Sequence, residues 1–188
     1  MADAQVFQIN APDYSVCPLR LEHTGSLQRL FDQCADFALV VEGEGVSPSA
    51  AQDIFQSVPP GRSLSDKFLY GLLDRNGEIV GVLEGIRHYP DDPTWWVGLL
   101  MLSPTVRGHG LGRKVMDAFS DYVRSNQGTS IMLGVVEDNH AAYSFWQQLG
   151  FEFVRQTEPR PFGKKMQTVY VLRRWVIQES MGTKPSVA

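Results

Sequence analysis

Arg107-Gly108-His109-Gly110-Leu111-Gly112-Arg113 joins an apolar run, Trp95–Leu102, to a stretch in which Leu111, Val115, Met116, Phe119, Tyr122 and Val123 recur at helical spacing. The run does not alternate, so it reads as a strand covered on both faces. A glycine-rich loop between such a strand and a helix has a physical use. Glycines let main chain approach a ligand with no side chain in the way. The first amides of the following helix are unpaired, and its dipole adds partial positive charge. Together they make a cradle for a pyrophosphate or similar anion, and Arg107, Arg113 and Lys114 bring positive charge to it. His109 is expected to face solvent. Spacing separates the loop from two common phosphate binders. A dinucleotide loop needs its third glycine where Arg113 stands and an acid about 20 residues on at a strand end, and the next strand carries none before Glu137; a P-loop needs Gly-Lys-Ser/Thr, which is absent. By itself the loop fits either an anion cradle or a tight strand–helix turn.

Working outward, Ile131–Val136 reads as another buried strand, and Asp138 or Asn139 caps a helix with Ala142, Tyr143, Phe145, Trp146 and Leu149 on its inner side. Gly150 stands where a helix often closes in a left-handed conformation. Upstream, Phe68–Leu73 and Ile79–Ile86 flank Asn76-Gly77, a hairpin signal of the two-residue type I′ kind. Tyr14–Leu21 reads as a first strand, and Leu27, Leu30, Phe31 and Cys34 set a helix over about 25–35. Glu42–Gly45 is loop; Ser47-Pro48 opens a second helix that Pro59-Pro60 ends. Phe151–Arg155 and Thr168–Ile177 supply the last strands. The order predicts an α/β fold: one mixed sheet of about six or seven strands with helices on both faces. The expected domain covers 14–179, with tails at 1–13 and 180–188.

The 188 residues, 43% hydrophobic, suffice for one domain with its own core. No apolar run spans a bilayer, and the N-terminus lacks the basic start and apolar stretch of a secretory signal. Two cysteines rule out a disulfide framework or a Cys-rich zinc site, so no metal is expected and a reducing cytoplasm is the default. A net charge of −4 argues against nucleic acid. Residues 1–99 carry 14 acids and 6 bases, whereas 100–188 carry 7 acids and 11 bases. That asymmetry suits one cationic and one anionic ligand, or a chance scatter of solvated charge.

Pro104, Arg107-Gly108-x-Gly110-x-Gly112, a helix, a strand, Asn139, Ala142 and Leu149-Gly150-Phe151 resemble the GNAT superfamily of acyl-CoA-dependent N-acetyltransferases. The likeness is strongest from about Phe68 to Arg155. Within the superfamily, Trp95-Trp96-Val97-Gly98-Leu99-Leu100 and Phe145-Trp146 look like a bacterial branch. The resemblance implies a V-shaped opening between the strands at 95–102 and 131–136. Acetyl-CoA, as co-substrate, would lie with its pantetheine along backbone near Leu100, Met101 and Leu102. Its pyrophosphate would sit on the amides of Arg107, Gly108, His109, Gly110, Leu111 and Gly112, beside Arg113, with Asn139 reaching the pantetheine region. The acceptor would be a primary amine of a small molecule, attacking the thioester directly. The alternatives are a peptide or protein amine, or an acyl-CoA-binding module without catalysis. The acidic first half would line the acceptor side, so a cationic or neutral acceptor is expected, and many members of the family form homodimers.

Holding a lysine-like ammonium neutral at pH 7 costs about 4–5 kcal/mol, so the site must supply a base, a relayed water or desolvation. Here the sequence departs from the family. Seven residues after Asn139, where the family's helix presents a Tyr to protonate the leaving thiolate, stands Trp146, whose indole N–H is no usable acid. Tyr143 would take that role or belong to the core. The strand before the loop lacks the usual Glu, leaving Glu84 and His88 as candidate bases or as ordinary surface residues. Cys34 has no partner His nearby and is not read as a nucleophile.

Overall fold

The protein, described by a computed structural model over residues 6–176, is built on a seven-stranded sheet of order β1-β2-β3-β4-β5-β9-β6 with a separate two-stranded hairpin, β7-β8. The elements run β1 (Ser15–Pro18), α1 (Thr24–Gln33), α2 (Ala35–Val41), α3 (Ala50–Asp53), β2 (Lys67–Leu73), β3 (Ile79–Arg87), β4 (Thr94–Leu102), α4 (Leu111–Ser125), β5 (Ser130–Val136), α5 (His140–Gln148), β6 (Glu152–Gln156), β7 (Arg160–Phe162), β8 (Lys165–Gln167) and β9 (Val169–Trp175). Strands β1 to β4 are antiparallel, β4 and β5 are parallel, and β9 pairs antiparallel with both β5 and β6.

The sheet carries a core on each face. On one side Val115, Met116, Phe119 and Val123 of α4 and Trp146 of α5 meet Leu72, Leu83, Trp95, Ile131 and Leu172. On the other, Leu27, Leu30 and Phe31 of α1 and Ala51 of α3 meet Leu69, Val82 and Met101. Burying one such side chain contributes about 1.5–3 kcal/mol. Strand periodicity sorts the residues: Phe68, Tyr70 and Leu72 go to the α4 face and Leu69 to the α1 face.

Several expectations need correction. The segment from residue 6 to 13 is no loose tail: Phe7 is buried, its ring 5.5 Å from that of Tyr70 and 5.6 Å from that of Phe119. The expected tail at 180–188 lies outside the described residues. The helix at 25–35 ends at Gln33, and a second one, α2, starts one residue after Cys34, whose φ of −101° and ψ of 29° break the helical run. The expected helix after Ser47-Pro48 shrinks to one turn, α3. The β2–β3 turn is not two-residue type I′. Asp74 Oδ1 accepts from the N–H groups of Asn76 (2.8 Å) and Glu78 (2.9 Å), and of these residues only Gly77 takes positive φ. The hairpin β7-β8 has no counterpart in the sequence reading.

Candidate active site

The gap at the centre of the sheet follows from one glycine. β4 and β5 pair from Thr94↔Ser130 to Val97↔Leu133 and no further, although β4 continues to Leu102 and β5 to Val136. On its other edge β4 pairs Gly85 with Val97 but Glu84 with Leu99, so Gly98 is the extra residue of a β-bulge. A bulge bends its strand, and beyond this one β4 leaves β5. Gly98 suits the place because a Cβ there would run into the Glu84 carboxylate. The strand is therefore not covered throughout as expected: Gly98 is exposed and Leu99 and Leu100 are half-buried.

The cavity so opened holds about 170 Å³ and passes from one sheet face to the other. Asn139, Ala142 and Trp146 line it from the α5 side; Phe37 and Val41 of α2 and Phe162 of the hairpin line it from the other. Its walls include Val97, Gly98, Leu99 and Leu100 of β4 and Leu133, Gly134, Val135 and Val136 of β5. A broader groove of about 1190 Å³ runs outside α4 along the segment at 6–10, but its walls contain neither this gap nor the glycine loop.

Main-chain alternation decides which β4 amides face the gap. Ser103 N–H donates to Val80 C=O at 2.8 Å, and the register continues through Met101↔Val82 and Leu99↔Glu84. In an antiparallel ladder every second residue turns its N–H and C=O to the partner. Met101 therefore faces β3, with its side chain in the α1 core, whereas Leu100 and Leu102 turn theirs toward β5. Of the three residues expected to meet a pantetheine, Leu100 and Leu102 are placed for it and Met101 is not. The Leu102 carbonyl already accepts from Arg107 Nε at 2.7 Å and from Cys34 Sγ at 3.4 Å, so of the two residues Leu100 keeps its carbonyl as well as its N–H turned to the gap.

The glycine loop opens α4. Gly108 and Gly110 both sit at φ 78°, a region that disfavours a side chain, and the space above each is open for 4 Å. Gly110 is the N-cap, and no side chain caps the helix, so its first N–H groups stay available. Gly112 is a glycine for another reason: a Cβ would lie 3.1 Å from the Phe145 ring, at the contact of α4 with α5. The two arginines do not hang over the loop as expected. Arg107 grips Asp36 of α2 through both terminal nitrogens, at 2.5 and 3.2 Å, and this ion pair holds the Asp36 carboxyl below the usual carboxylate range. Arg113 donates to the Gln148 carbonyl at the end of α5, at 3.0 Å. His109 is exposed. The cradle is thus main chain, with Lys114 exposed one turn into the helix.

Asn139 is the N-cap of α5; its Oδ1 accepts from Ala142 N–H at 3.1 Å, and the residue borders the gap. Trp146, 7% exposed, borders it too, edge-on to Phe151 at 5.1 Å. Tyr143 does not border it: its ring packs edge-on against Tyr170 of β9, 5.5 Å away. We expect Tyr143→Phe to keep turnover within about twofold of the parent, because the packing ring remains and its hydroxyl lies off the gap. A loss of about 10²-fold, the scale of a missing general acid, would show that it protonates the thiolate.

Of the two candidate bases, only Glu84 lies beside the gap, against Gly98. It pairs with Lys67, and the two side chains are 15% and 6% exposed. Burial pushes the Glu84 carboxyl up, with Lys67 opposing. Lys67 also donates to the Ser57 carbonyl at 2.8 Å. His88 sits four residues on, past the end of β3, bonded to Asp92 at 2.7 Å and away from the gap. Cys34 is buried, and burial pushes its thiol up, away from a reactive thiolate.

The model of the acetyltransferase (GNAT) family matches residues 26–151. The chain belongs to the GNAT acetyltransferase family. It is an acyltransferase by that membership, and the family's segment spans α1 to the start of β6, with the gap and loop at its centre. No curated protein sequence matches the chain. Among solved structures, an acetyltransferase from Thermus thermophilus superposes with TM-score 0.68 at 21% identity, over 86% of this chain and 96% of that one. The spermidine N-acetyltransferase of Vibrio cholerae, in complex with CoA and spermine, gives 0.68 at 14% over 88% and 96%. The ribosomal-protein-S18-alanine N-acetyltransferase of Escherichia coli gives 0.66 at 12% over 91% and 99%. At these identities the likeness is one of fold. Among the described residues no helix is long and apolar enough to cross a membrane, and no cluster of three or more His, Cys, Asp or Glu is set to hold a metal.

The sequence reading missed Phe37, Val41 and Phe162. The first two are four apart, the spacing of one helical face, and carried the only signal.

Proposed function

We propose that the protein transfers an acetyl group from acetyl-CoA to the primary amine of a small molecule. The observation that carries this is the parting of β4 from β5 at Gly98, which opens a cavity through the sheet beside a main-chain anion cradle. The residues fit an acyl-CoA. Gly108, Gly110 and the first amides of α4 would hold the pyrophosphate, Leu100 the pantetheine amides, and Asn139 and Trp146 the far wall. When bound, acetyl-CoA supplies the activated acyl carbon, whose bond to sulfur is exchanged for one to the amine nitrogen.

The chain's own groups then have separate tasks. The open Leu100 N–H is a donor for an acyl oxygen that gains charge, and a fixed main-chain donor needs no reorganisation. Glu84, at the edge of the gap with its carboxyl pushed up by burial, takes the ammonium proton before attack. On forming the amide the nitrogen would give up its second proton to water, which would return one to the leaving thiolate, since Trp146 can donate a hydrogen bond but not a proton. A narrow gap hooked over by a hairpin favours a small acceptor over a peptide. Thiol release over an amine panel, with acetyl-CoA affinity followed by calorimetry, tests the reading. Absence of release from protein that binds acetyl-CoA would exclude it. Glu84→Gln keeps the shape and is expected to cut turnover about 10²-fold and to remove the acidic limb of the pH profile. An unchanged profile would exclude Glu84 as the base.

A further inference from the structure

We infer that the acceptor end of the gap selects a primary amine with a compact apolar or aromatic body and disfavours polyamines, an inference that rests on the acetyl-transfer reading. The end of the cavity away from α5 is walled by Phe37, Val41 and Phe162, with Val97 and Leu133 between them, and none of these carries a charge or a hydrogen-bonding side chain.

That wall is built, not incidental. The last carbonyls of a helix have no partner within it. At the end of α2 they are taken by the hairpin: Gln167, 1% exposed, donates from Nε2 to the carbonyls of Val40 (2.9 Å) and Val41 (2.7 Å). Lys165 Nζ donates to the same Val40 carbonyl at 3.0 Å, and Lys164 N–H donates to the Glu42 carbonyl at 2.7 Å. These bonds fix Phe162 opposite Val41. The cavity of about 170 Å³ is well below the ~300–1,000 Å³ usual for drug-sized ligands. It must also admit the acyl end of the donor, so the body of the acceptor is compact.

The acidic first half of the chain, expected to line this side, puts no carboxylate into the cavity wall. Of its acids, Asp36 is paired with Arg107, Glu44 with Lys164 and Glu84 with Lys67, and Asp138 of the second half is paired with Lys165. Glu42, at the end of α2, has no ion-pair partner among the described residues, and it is not part of the cavity wall. A polyamine entering the gap would lose the hydration of several ammonium groups and meet no carboxylate in the cavity wall, whereas an apolar body gains from leaving water.

The test compares apolar amines (2-phenylethylamine, benzylamine, isoamylamine) with polycations (spermidine, putrescine, an aminoglycoside) by thiol release from acetyl-CoA. The best apolar amine is expected to exceed the best polycation in kcat/KM by about tenfold or more. Phe162→Ala should raise KM for that amine about tenfold, with acetyl-CoA affinity and melting temperature near the parent's. A polycation equal or superior to every apolar amine overturns the inference and leaves acetyl transfer standing, as does a Phe162→Ala variant with unchanged KM. No release with any amine, from folded protein that binds acetyl-CoA, overturns both.

Discussion

Gly110→Asp should weaken acetyl-CoA binding about a thousandfold while leaving the fold intact. Two charges of the same sign set about 4 Å apart at a protein surface cost about 4 kcal/mol, which is that factor. The site invites the substitution without strain elsewhere, because nothing lies within 4 Å of where a Cβ would stand. The φ of 78° costs roughly 1–2 kcal/mol for most residues and less for Asp or Asn, which visit this region. Gly110→Asn is therefore the control. It has the same shape and tolerance of positive φ but no charge, so it should lose about tenfold or less. Calorimetric titration of both variants with acetyl-CoA decides it. Parent-like affinity in a folded Gly110→Asp would falsify the loop as the phosphate cradle.

The fold was legible wherever one local rule decided the outcome. Periodicity placed α4 and α5, and unbroken apolar runs placed β2, β4 and β5. It was illegible where a distant partner decided. Phe7 lies in what reads as a polar start, and only the aromatic ring set of Tyr70, Phe119 and Tyr122 makes it core. The strands β7 and β8 are three residues each, too short for any pattern, and exist because Gln167 and Lys165 satisfy carbonyls more than a hundred residues away. The five-residue turn at 74–78 was misread because Asp74, not Asn76, organises it.

The site divides the same way. The glycine spacing exposed the loop, and the loop's φ values explain two of its glycines. The arginines were misplaced, since nothing in the sequence pairs Arg107 with Asp36 or Arg113 with the end of α5. A glycine inside an apolar strand is a recognised sign of a bulge, so Gly98 was a readable clue to where the sheet opens. Lys67 gave none: a lysine ahead of an apolar run reads as solvated, and its burial comes from Glu84 and the Ser57 carbonyl.

That pair supports the second large effect, on stability. Lys67→Met keeps the length of the side chain and most of its packing but strands the Glu84 carboxylate. Removing one partner of a buried ion pair typically costs about 3–5 kcal/mol, because the remaining charge is left without compensation. The double variant Lys67→Met/Glu84→Gln should cost clearly less than Lys67→Met alone, since it leaves no charge behind. The pH dependence has a definite sign. Burial already holds the Glu84 carboxyl above its ordinary value, with Lys67 pulling it back, so loss of Lys67 raises it further. The folded variant then binds a proton more readily than its unfolded chain. The variant is nearest the parent below the unfolded carboxylate pKa of about 4.3 and falls away as pH rises through the raised folded value. Urea unfolding at pH 5 and pH 8 measures both. A stability gap that stays constant between those pH values, or a double variant as damaged as the single one, would mean that the pair is a bystander at the bulge.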